Sequence, residues 1–295
     1  MAGAGGGCPS STPDLCNGQC VDTLTSLDNC GSCGHGCLDA ETCKIGECTP
    51  CENDCGPLEE CKKGLCVAKL VPITGGYSID ATEVTRDQYD AWLGTSPSTT
   101  GQSSECYWNL DFAADANCMG GPAVLQGSGG GNRPQECVDW CDAYAYCKGV
   151  GKRLCGKIGG GASDFGDFAD ATTSQWFAAC SSGGQNDYPY GDTYDGITCN
   201  GYDSPYSTTV PVASMSACQS STSGYVGVYD LSGNVFEWED SCDGNTGNPV
   251  CCHVRGGSIS YFPYGGSSFR CDTGDCFDRD YDDGFFIGFR CCSSP

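Results

Sequence analysis

Near its C-terminus the chain reads Val254-Arg255-Gly256-Gly257-Ser258, then Phe269-Arg270-Cys271, then Ile287-Gly288-Phe289-Arg290-Cys291. This stretch is preceded by Asp230-Leu231-Ser232-Gly233-Asn234-Val235-Phe236-Glu237-Trp238. Earlier segments with recognisable patterns are 79–85, 138–147 leading into Gly151-Lys152-Arg153-Leu154, 175–184 and Tyr188-Pro189-Tyr190-Gly191-Asp192. Each segment alone is a weak signal, but their common order over residues 70–292 makes the combination specific.

Together these segments resemble the formylglycine-generating-enzyme, or sulfatase-modifying-factor, family. The resemblance implies an irregular α+β domain with a modified C-type-lectin-like fold over residues 67–295. The residues themselves favour the same class, because this region is rich in Gly, Ser, Asp and Tyr with frequent turn signals. They predict a strand within 71–80 and helices at 83–93, 138–150 and 174–180. Thr85 with Gln88 three residues later predicts a capping box at the first helix.

Composition excludes some classes of partner. Of 295 residues, 38 are Asp or Glu and 14 are Lys or Arg, which gives a formal net charge of -24. A basic patch for nucleic acid or an anionic membrane is therefore not expected. No stretch is long and apolar enough to span a membrane.

Cysteine use indicates an oxidising compartment: extracellular, cell-surface or periplasmic. The chain has 28 cysteines, an even number, which favours a disulfide framework. The sequence predicts a flexible Gly-rich N-terminus at 1–7, a cysteine-rich module at 8–66 and the larger domain at 67–295. Segment 1–7 lacks the apolar core of a signal peptide, so a processed or engineered N-terminus is expected if the protein is secreted, and a glycine spacer behind a lipid anchor is the alternative.

The module at 8–66 has twelve cysteines and no aromatic residue, so cross-links must replace hydrophobic burial. Its segments 16–22 and 28–37 resemble the cysteine-rich motif of plant stigma-specific proteins, which implies a small extracellular module. Cys30, Cys33, His35 and Cys37 also offer ligand types that zinc accepts. Disulfides are the preferred interpretation, because the neighbouring cysteines are crowded and even in number.

Catalysis is the point at which this sequence departs from the family. Family oxidases bind copper(I) through two cysteines and oxidise a cysteine of a sulfatase. Counted from Ser258, those two positions are Tyr261 and Gly266. The alternative is a displaced pair, Cys271 and Cys276, which has the same C-x4-C separation and would need two free thiolates.

The resemblance also implies structural features. It suggests the disulfides Cys147–Cys291 and Cys180–Cys271. It places a structural calcium ion at the Asp230 side chain, the Gly233 and Val235 carbonyls, and the Glu237 carboxylate, all oxygen ligands of the kind that calcium prefers.

Two further calcium candidates exist, one implied by the resemblance and one suggested by the residues alone. The family's other site would begin at Asn200 and Gly201 and continue around 203–206, including Tyr206, where Ser204 replaces the expected Asp. The residues alone suggest a local calcium loop, because Asp278, Asp280 and Asp282 alternate before a glycine. A solvated acidic turn is the alternative.

The leading hypothesis is a secreted or cell-surface binding protein with a catalytically inactive, calcium-stabilised domain of this type. A carbohydrate or protein ligand is expected on the C-terminal surface, around Tyr261, Phe262, Tyr264, Phe269 and Tyr281. Tyrosine and phenylalanine offer large contact areas there. The alternatives are a copper-dependent oxidoreductase using the displaced cysteine pair and a self-assembling matrix or coat component.

Overall fold

The structure is a computed structural model that describes residues 8–38, 41–51, 55–115, 118, 130–244, 250–259, 265–282 and 286–293. The chain divides into two compact units, Met1–Val67 and Ala68–Pro295. Among the described residues, no helix has the length and apolar character needed to cross a membrane.

Three short hairpins form the first unit and its boundary. Their strands are β1 Asp14–Cys16, β2 Gln19–Val21, β3 Glu41–Lys44, β4 Glu47–Pro50, β5 Glu59–Lys62 and β6 Leu65–Ala68. Each turn has two residues with positive φ, and the second is a glycine (Gly18, Gly46 or Gly64). Two positive φ angles define a type I′ turn, whose twist matches that of the paired strands.

Six disulfides hold this unit together. They are Cys8–Cys20, Cys16–Cys33, Cys30–Cys43, Cys37–Cys48, Cys51–Cys61 and Cys55–Cys66. These bonds include Cys30, Cys33 and Cys37. Their sulfur atoms are therefore not free to bind zinc, and the zinc alternative is wrong. The buried residues of the unit include five of these cysteines, which agrees with cross-links serving as its core.

The second unit contains two four-stranded sheets among the described residues. The first has the order β7-β8-β14-β9 and the second the order β12-β11-β10-β13. The strands are β7 Leu70–Ile73, β8 Tyr77–Asp80, β9 Arg153–Leu154, β10 Phe236–Cys242, β11 Cys251–Arg255, β12 Gly274–Asp278, β13 Ile287–Phe289 and β14 Cys291–Ser293. Among the strands that the structure describes, only β10 and β13 are paired in parallel. Arg290 lies between β13 and β14, where the chain passes from one sheet to the other.

Three α-helices begin at polar caps that the sequence contains. Helix α1 (Arg86–Leu93) has the predicted capping box of Thr85 and Gln88. Helix α2 (Trp140–Gly149) is capped by Asp139, and α3 (Gln175–Cys180) by Ser174. Each cap oxygen accepts a backbone N–H of the first turn, which would otherwise lack a partner.

The core joins the helices to the sheets. All six residues of α3 are buried, and Trp176 and Cys180 pack in one cluster with Ile79 and Leu231. A second group is aromatic: Tyr146 of α2 has its ring centroid 5.6 Å from that of Tyr89 and 5.4 Å from that of Phe289.

Disulfides close long loops across this core. The structure contains both pairings that the resemblance implied, Cys147–Cys291 and Cys180–Cys271, with sequence separations of 144 and 91. A loop of about 100 residues contributes roughly 4–5 kcal/mol in the chain-entropy description. The remaining bonds of the unit are Cys106–Cys141, Cys118–Cys137, Cys155–Cys292, Cys199–Cys218, Cys242–Cys252 and Cys251–Cys276. No cysteine of the chain is free.

Candidate functional site

Gly266 is the position that the resemblance implies for the second copper-binding cysteine, and an aromatic ring packs against it. A Cβ atom added at Gly266 would lie 2.5 Å from Tyr194 Cδ1 and 2.6 Å from Tyr194 Cγ. The Tyr188 hydroxyl donates a hydrogen bond of 3.2 Å to the Gly266 carbonyl. A side chain at this position is therefore incompatible with the observed Tyr194 ring.

Three tyrosine side chains cluster beside this position, and we call Tyr188, Tyr190 and Tyr194 the tyrosine surface, although Tyr188 itself is buried. The Tyr188 and Tyr190 rings are stacked with centroids 5.5 Å apart, and Tyr188 and Tyr194 are 5.6 Å apart. Tyr194 in turn stacks on Phe269 at 6.1 Å. Tyr190 and Tyr194 are each half-buried, so both present ring area to solvent.

Phe269 was expected on the ligand-contacting surface, and that expectation is wrong. Its side chain is 2% exposed, beneath Tyr194 and close against Gly201 and Gly257. Tyr281 is partly exposed and stacks on Phe277 at 4.8 Å. The other predicted contact residues, Tyr261, Phe262 and Tyr264, lie outside the described residues.

The tyrosine hydroxyls remain protonated at neutral pH. Burial raises the pKa of Tyr190 to about 12. Burial and the neighbouring Asp203 carboxylate, which accepts a 3.2 Å hydrogen bond, raise the pKa of Tyr194. Each phenol can thus donate and accept a hydrogen bond beside an apolar ring.

Arg270, which follows Phe269 in the chain, is already paired with carboxylates. Arg270 donates to both Asp187 and Asp272, and its NH2 lies 2.8 Å from an oxygen of each. These hydrogen bonds raise the pKa of Arg270, and they lower the pKa of Asp272. Its positive charge is therefore compensated before any ligand arrives.

The displaced cysteine pair is not a thiol pair. Cys271 is bonded to Cys180 and Cys276 to Cys251, in two separate disulfides. A disulfide sulfur is not a thiolate, so the alternative copper site at Cys271 and Cys276 is wrong for the oxidised protein described here.

The predicted calcium ligand Glu237 is saturated by hydrogen-bond donors. Arg290 donates to both of its oxygens, from Nε at 2.6 Å and from NH2 at 2.7 Å. The Trp176 indole N–H adds a third bond of 2.8 Å. A guanidinium in this position opposes a second cation, so Glu237 does not fit the role of a calcium ligand.

Asp230 fits a cation better. Its Oδ2 accepts the Ala213 N–H at 2.6 Å, whereas its Oδ1 is buried and accepts no hydrogen bond from the described residues. Glu83 Oε2 is also buried, and it too accepts no hydrogen bond from the described residues. Burial raises the pKa of Asp230 to about 7, and burial together with the Asp230 charge raises the pKa of Glu83.

Gly233 and Val235 supply the backbone of the same loop. The Gly233 N–H donates to the Gly256 carbonyl at 2.8 Å, and Val235 is fully buried. Between them, the Asn234 side chain donates to Glu83 Oε1 at 2.9 Å. The sequence contained Glu83, Asn234 and Arg290 within its motifs, but gave no sign that they meet around Asp230 and Glu237.

The family's other calcium candidate, which begins at Asn200 and Gly201, is less favourable than Asp230. Asn200 Oδ1 accepts the Ser204 hydroxyl at 2.7 Å, so the residue that replaces the expected Asp uses this oxygen. Gly201 is buried and Tyr206 is 50% exposed.

The acidic loop at 278–282 meets Asp139. Burial is the main cause that raises the pKa of Asp139 to about 7, and the charges of Asp282 and Asp280 add to it. Asp278 is exposed. The loop thus concentrates negative charge near the start of α2.

With this geometry in place, the family is established by comparison. A family profile described as "Sulfatase-modifying factor enzyme 1-like domain" matches residues 64–295. The chain belongs to this family, and its second unit has the family's irregular α+β, C-type-lectin-like fold.

Individual relatives are distant. The chain is 29% identical over 166 residues to "Serine/threonine-protein kinase pkn1" of Chlamydia caviae, which covers 55% of this chain and 22% of that protein. The solved structures of PvdO from Pseudomonas aeruginosa and of CarF each share 21% identity with it, at a TM-score of 0.48. Both alignments cover 74% of this chain, with 80% of the PvdO chain and 86% of the CarF chain.

Proposed function

We propose that this chain is an extracellular binding protein whose sulfatase-modifying-factor domain recognises a carbohydrate or protein ligand through the tyrosine surface. The observation that carries the proposal is the Tyr194 ring over Gly266, which replaces a metal-binding thiol by an aromatic contact surface. The pairing of Cys271 and Cys276 in separate disulfides supports a role without copper chemistry.

The chemistry of the tyrosine surface suits recognition. Tyrosine combines a rigid apolar ring with a polar hydroxyl and loses little conformational entropy on binding. Exposed carboxylates of Asp192, Asp195 and Asp203 belong to the same part of the chain. Together these groups favour ligands that offer hydroxyl, amide or basic groups.

A cellular location outside the cytosol is part of the same proposal. All 28 cysteines are paired, which favours folding in an oxidising compartment outside the cytosol. An extracellular, cell-surface or periplasmic site fits this state, and a lipid anchor at the N-terminus would be compatible with it.

A structural calcium ion is proposed at Asp230, with Glu83 rather than Glu237 as the second carboxylate. The support is the pair of buried oxygens, Asp230 Oδ1 and Glu83 Oε2, that accept no hydrogen bond from the described residues. Calcium bound there would neutralise buried negative charge and thereby stabilise the fold.

The main experiment screens the full chain against a glycan array and an array of extracellular proteins. For a captured ligand, Tyr190→Ala is expected to weaken binding by at least about tenfold, the loss of one good aromatic contact. Tyr107→Ala is the matched control, because Tyr107 is 74% exposed and lies outside the tyrosine surface. Equal loss of binding in both variants would contradict the proposal.

Two further measurements separate the alternatives. Oxygen consumption with a cysteine-containing peptide and copper(I) would indicate an oxidoreductase. Concentration-dependent growth in sedimentation velocity, without any captured ligand, would indicate a self-assembling matrix or coat component.

A further inference from the structure

The part of the chain that contains the tyrosine surface carries negative charge without any basic side chain of its own. Between Lys157 and Arg255 the sequence contains no Lys or Arg. The exposed carboxylates within segment 188–206 are those of Asp192, Asp195 and Asp203. Among the described residues, none of the three forms a salt bridge. A ligand that approaches this segment therefore meets exposed negative charge.

Arg270, the cation whose charge reaches Tyr188, does not offset this charge. It is bonded to the carboxylates of both Asp187 and Asp272. The three ionised groups together carry one net negative charge. The neighbourhood therefore attracts a cationic ligand and repels an anionic one.

The aromatic rings of the surface are layered, so their faces are supported from behind. Tyr188 is buried and packs on both Tyr190 and Tyr194, with ring centroids 5.5 Å and 5.6 Å apart. Phe269 supports Tyr194 in the same way at 6.1 Å. Tyr190 and Tyr194 remain partly exposed. The face of a tyrosine ring is its negative side, which attracts ammonium groups and, more often, guanidinium groups.

Asp203 places a carboxylate at the edge of one of these rings. The Tyr194 hydroxyl donates to Asp203 Oδ2 at 3.2 Å. Gly196 lies so close to Asp203 that a Cβ added at Gly196 would be 2.6 Å from the Asp203 Cβ. The carboxylate is thus held against the loop, and a cation over the Tyr194 ring would have a negative group beside it.

The loop that carries these groups is fixed by its own bonds. The Asp195 N–H donates to the Tyr190 hydroxyl at 3.2 Å, and the Ile197 N–H donates to Asp195 Oδ1 at 3.0 Å. The disulfide Cys199–Cys218 anchors the segment that follows. A preformed surface loses little free energy to ordering when a ligand binds.

We propose that the ligand of the tyrosine surface is a protein segment that carries several Lys or Arg side chains. One cation lies over Tyr190 or Tyr194 and pairs with Asp203, and others meet Asp192 and Asp195. A chain with several cations is favoured over a single small cation, because its contacts form within one molecule. This inference rests on the function proposed for the tyrosine surface and names the chemical class of its ligand.

The test measures binding of the full chain to four cysteine-free peptides of about twelve residues. Every third residue is Arg, Lys, Gln or Glu, and the others are Gly and Ser. Fluorescence anisotropy is recorded in about 0.15 M salt, where charges more than about 8 Å apart are largely screened. The Arg and Lys peptides are expected to bind at least about tenfold more tightly than the Gln peptide, and the Glu peptide should not bind. Equal affinity for the Arg and Gln peptides, or for the Arg peptide and arginine amide, would overturn the inference.

Variants locate the binding and separate it from general attraction to an acidic protein. Tyr190→Ala leaves the net charge unchanged and should weaken binding of the Arg peptide by about tenfold, whereas Tyr190→Phe keeps the ring and should retain most of the affinity. Asp203→Asn should weaken it about threefold, the loss of one exposed ion pair. Asp164→Asn is the matched control, since Asp164 is exposed and its side chain forms no capping hydrogen bond. Equal effects of both Asp variants, with no effect of Tyr190→Ala, would reduce the binding to net charge and refute the inference.

The outcomes also distinguish this inference from the proposed function. If the Arg and Lys peptides do not bind, but a ligand captured on the arrays loses affinity in Tyr190→Ala, the ligand class is wrong and the binding function stands. If no ligand from either source depends on Tyr190, both are wrong.

Discussion

Replacing Gly266 by alanine tests directly whether the Tyr194 ring fills the space beside Gly266. The new Cβ would lie 2.5–2.9 Å from three ring carbons of Tyr194, closer than real Cβ contacts occur. The ring cannot simply swing away, because it stacks on Phe269 and its hydroxyl donates to Asp203 at 3.2 Å. Gly266→Ala is therefore expected to lower the free energy of unfolding by about 1–3 kcal/mol, the usual cost of overpacking.

A double-mutant cycle assigns this cost to the ring. In a Tyr194→Ala background the added methyl group meets no ring, so Gly266→Ala should then cost less than about 0.5 kcal/mol. The coupling free energy is accordingly expected to be about 1–3 kcal/mol. Gly166→Ala is the matched control, since a Cβ at Gly166 would meet nothing within 4 Å.

The assay is equilibrium unfolding in guanidinium chloride with the disulfides intact, on the four members of the cycle and the control. Gly166→Ala should change the free energy of unfolding by less than about 0.5 kcal/mol. Equal costs of Gly266→Ala with and without the Tyr194 ring would refute the assignment of Tyr194 to this position.

Three other outcomes follow from buried charges. Burial raises the pKa of Asp240 to about 6 against the pull of Arg153; because this pKa exceeds the unfolded value, Asp240 should lower the free energy of unfolding by up to about 2–3 kcal/mol as the pH rises from 4 to 6, and urea titrations of Asp240→Asn should show a loss smaller by that amount than wild type, whereas parallel pH profiles would contradict it. Calcium added to chelator-treated protein should raise the Tm, and Asp230→Asn should abolish the increase; an unresponsive wild type would remove the calcium proposal. Arg290→Gln leaves the Glu237 carboxylate buried without its cation, and should cost about 3–5 kcal/mol in urea unfolding, with a loss below about 1 kcal/mol speaking against the pair.

The parts of the fold that depend on neighbours in sequence could be predicted. Helix α1 begins where Thr85 and Gln88 predicted it, because a capping box is completed within four residues. Helices α2 and α3 lie within the predicted spans for the same local reason. The family resemblance added the long-range pairs Cys147–Cys291 and Cys180–Cys271, which spacing alone cannot select among so many cysteines.

The site was predicted less completely, because burial and partners of a side chain depend on distant segments. Phe269 was expected at the surface, but Tyr194 lies on it. Glu237 has ligand chemistry suited to calcium, yet Arg290, 53 residues away, uses both of its oxygens. The alternation of tyrosines at 188–190 was visible, but nothing nearby in sequence indicates that they cover Gly266.

The sequence by itself therefore determined the family, the disulfide-rich composition, the helix starts and the absence of cysteine at Tyr261 and Gly266. These properties rest on composition, on order of motifs and on interactions within a few residues. Only the tertiary structure decided that Tyr194 covers Gly266 and that Arg290 neutralises Glu237. Those contacts join residues far apart along the chain, and the free energy that selects them comes from packing and from pairing of buried polar groups.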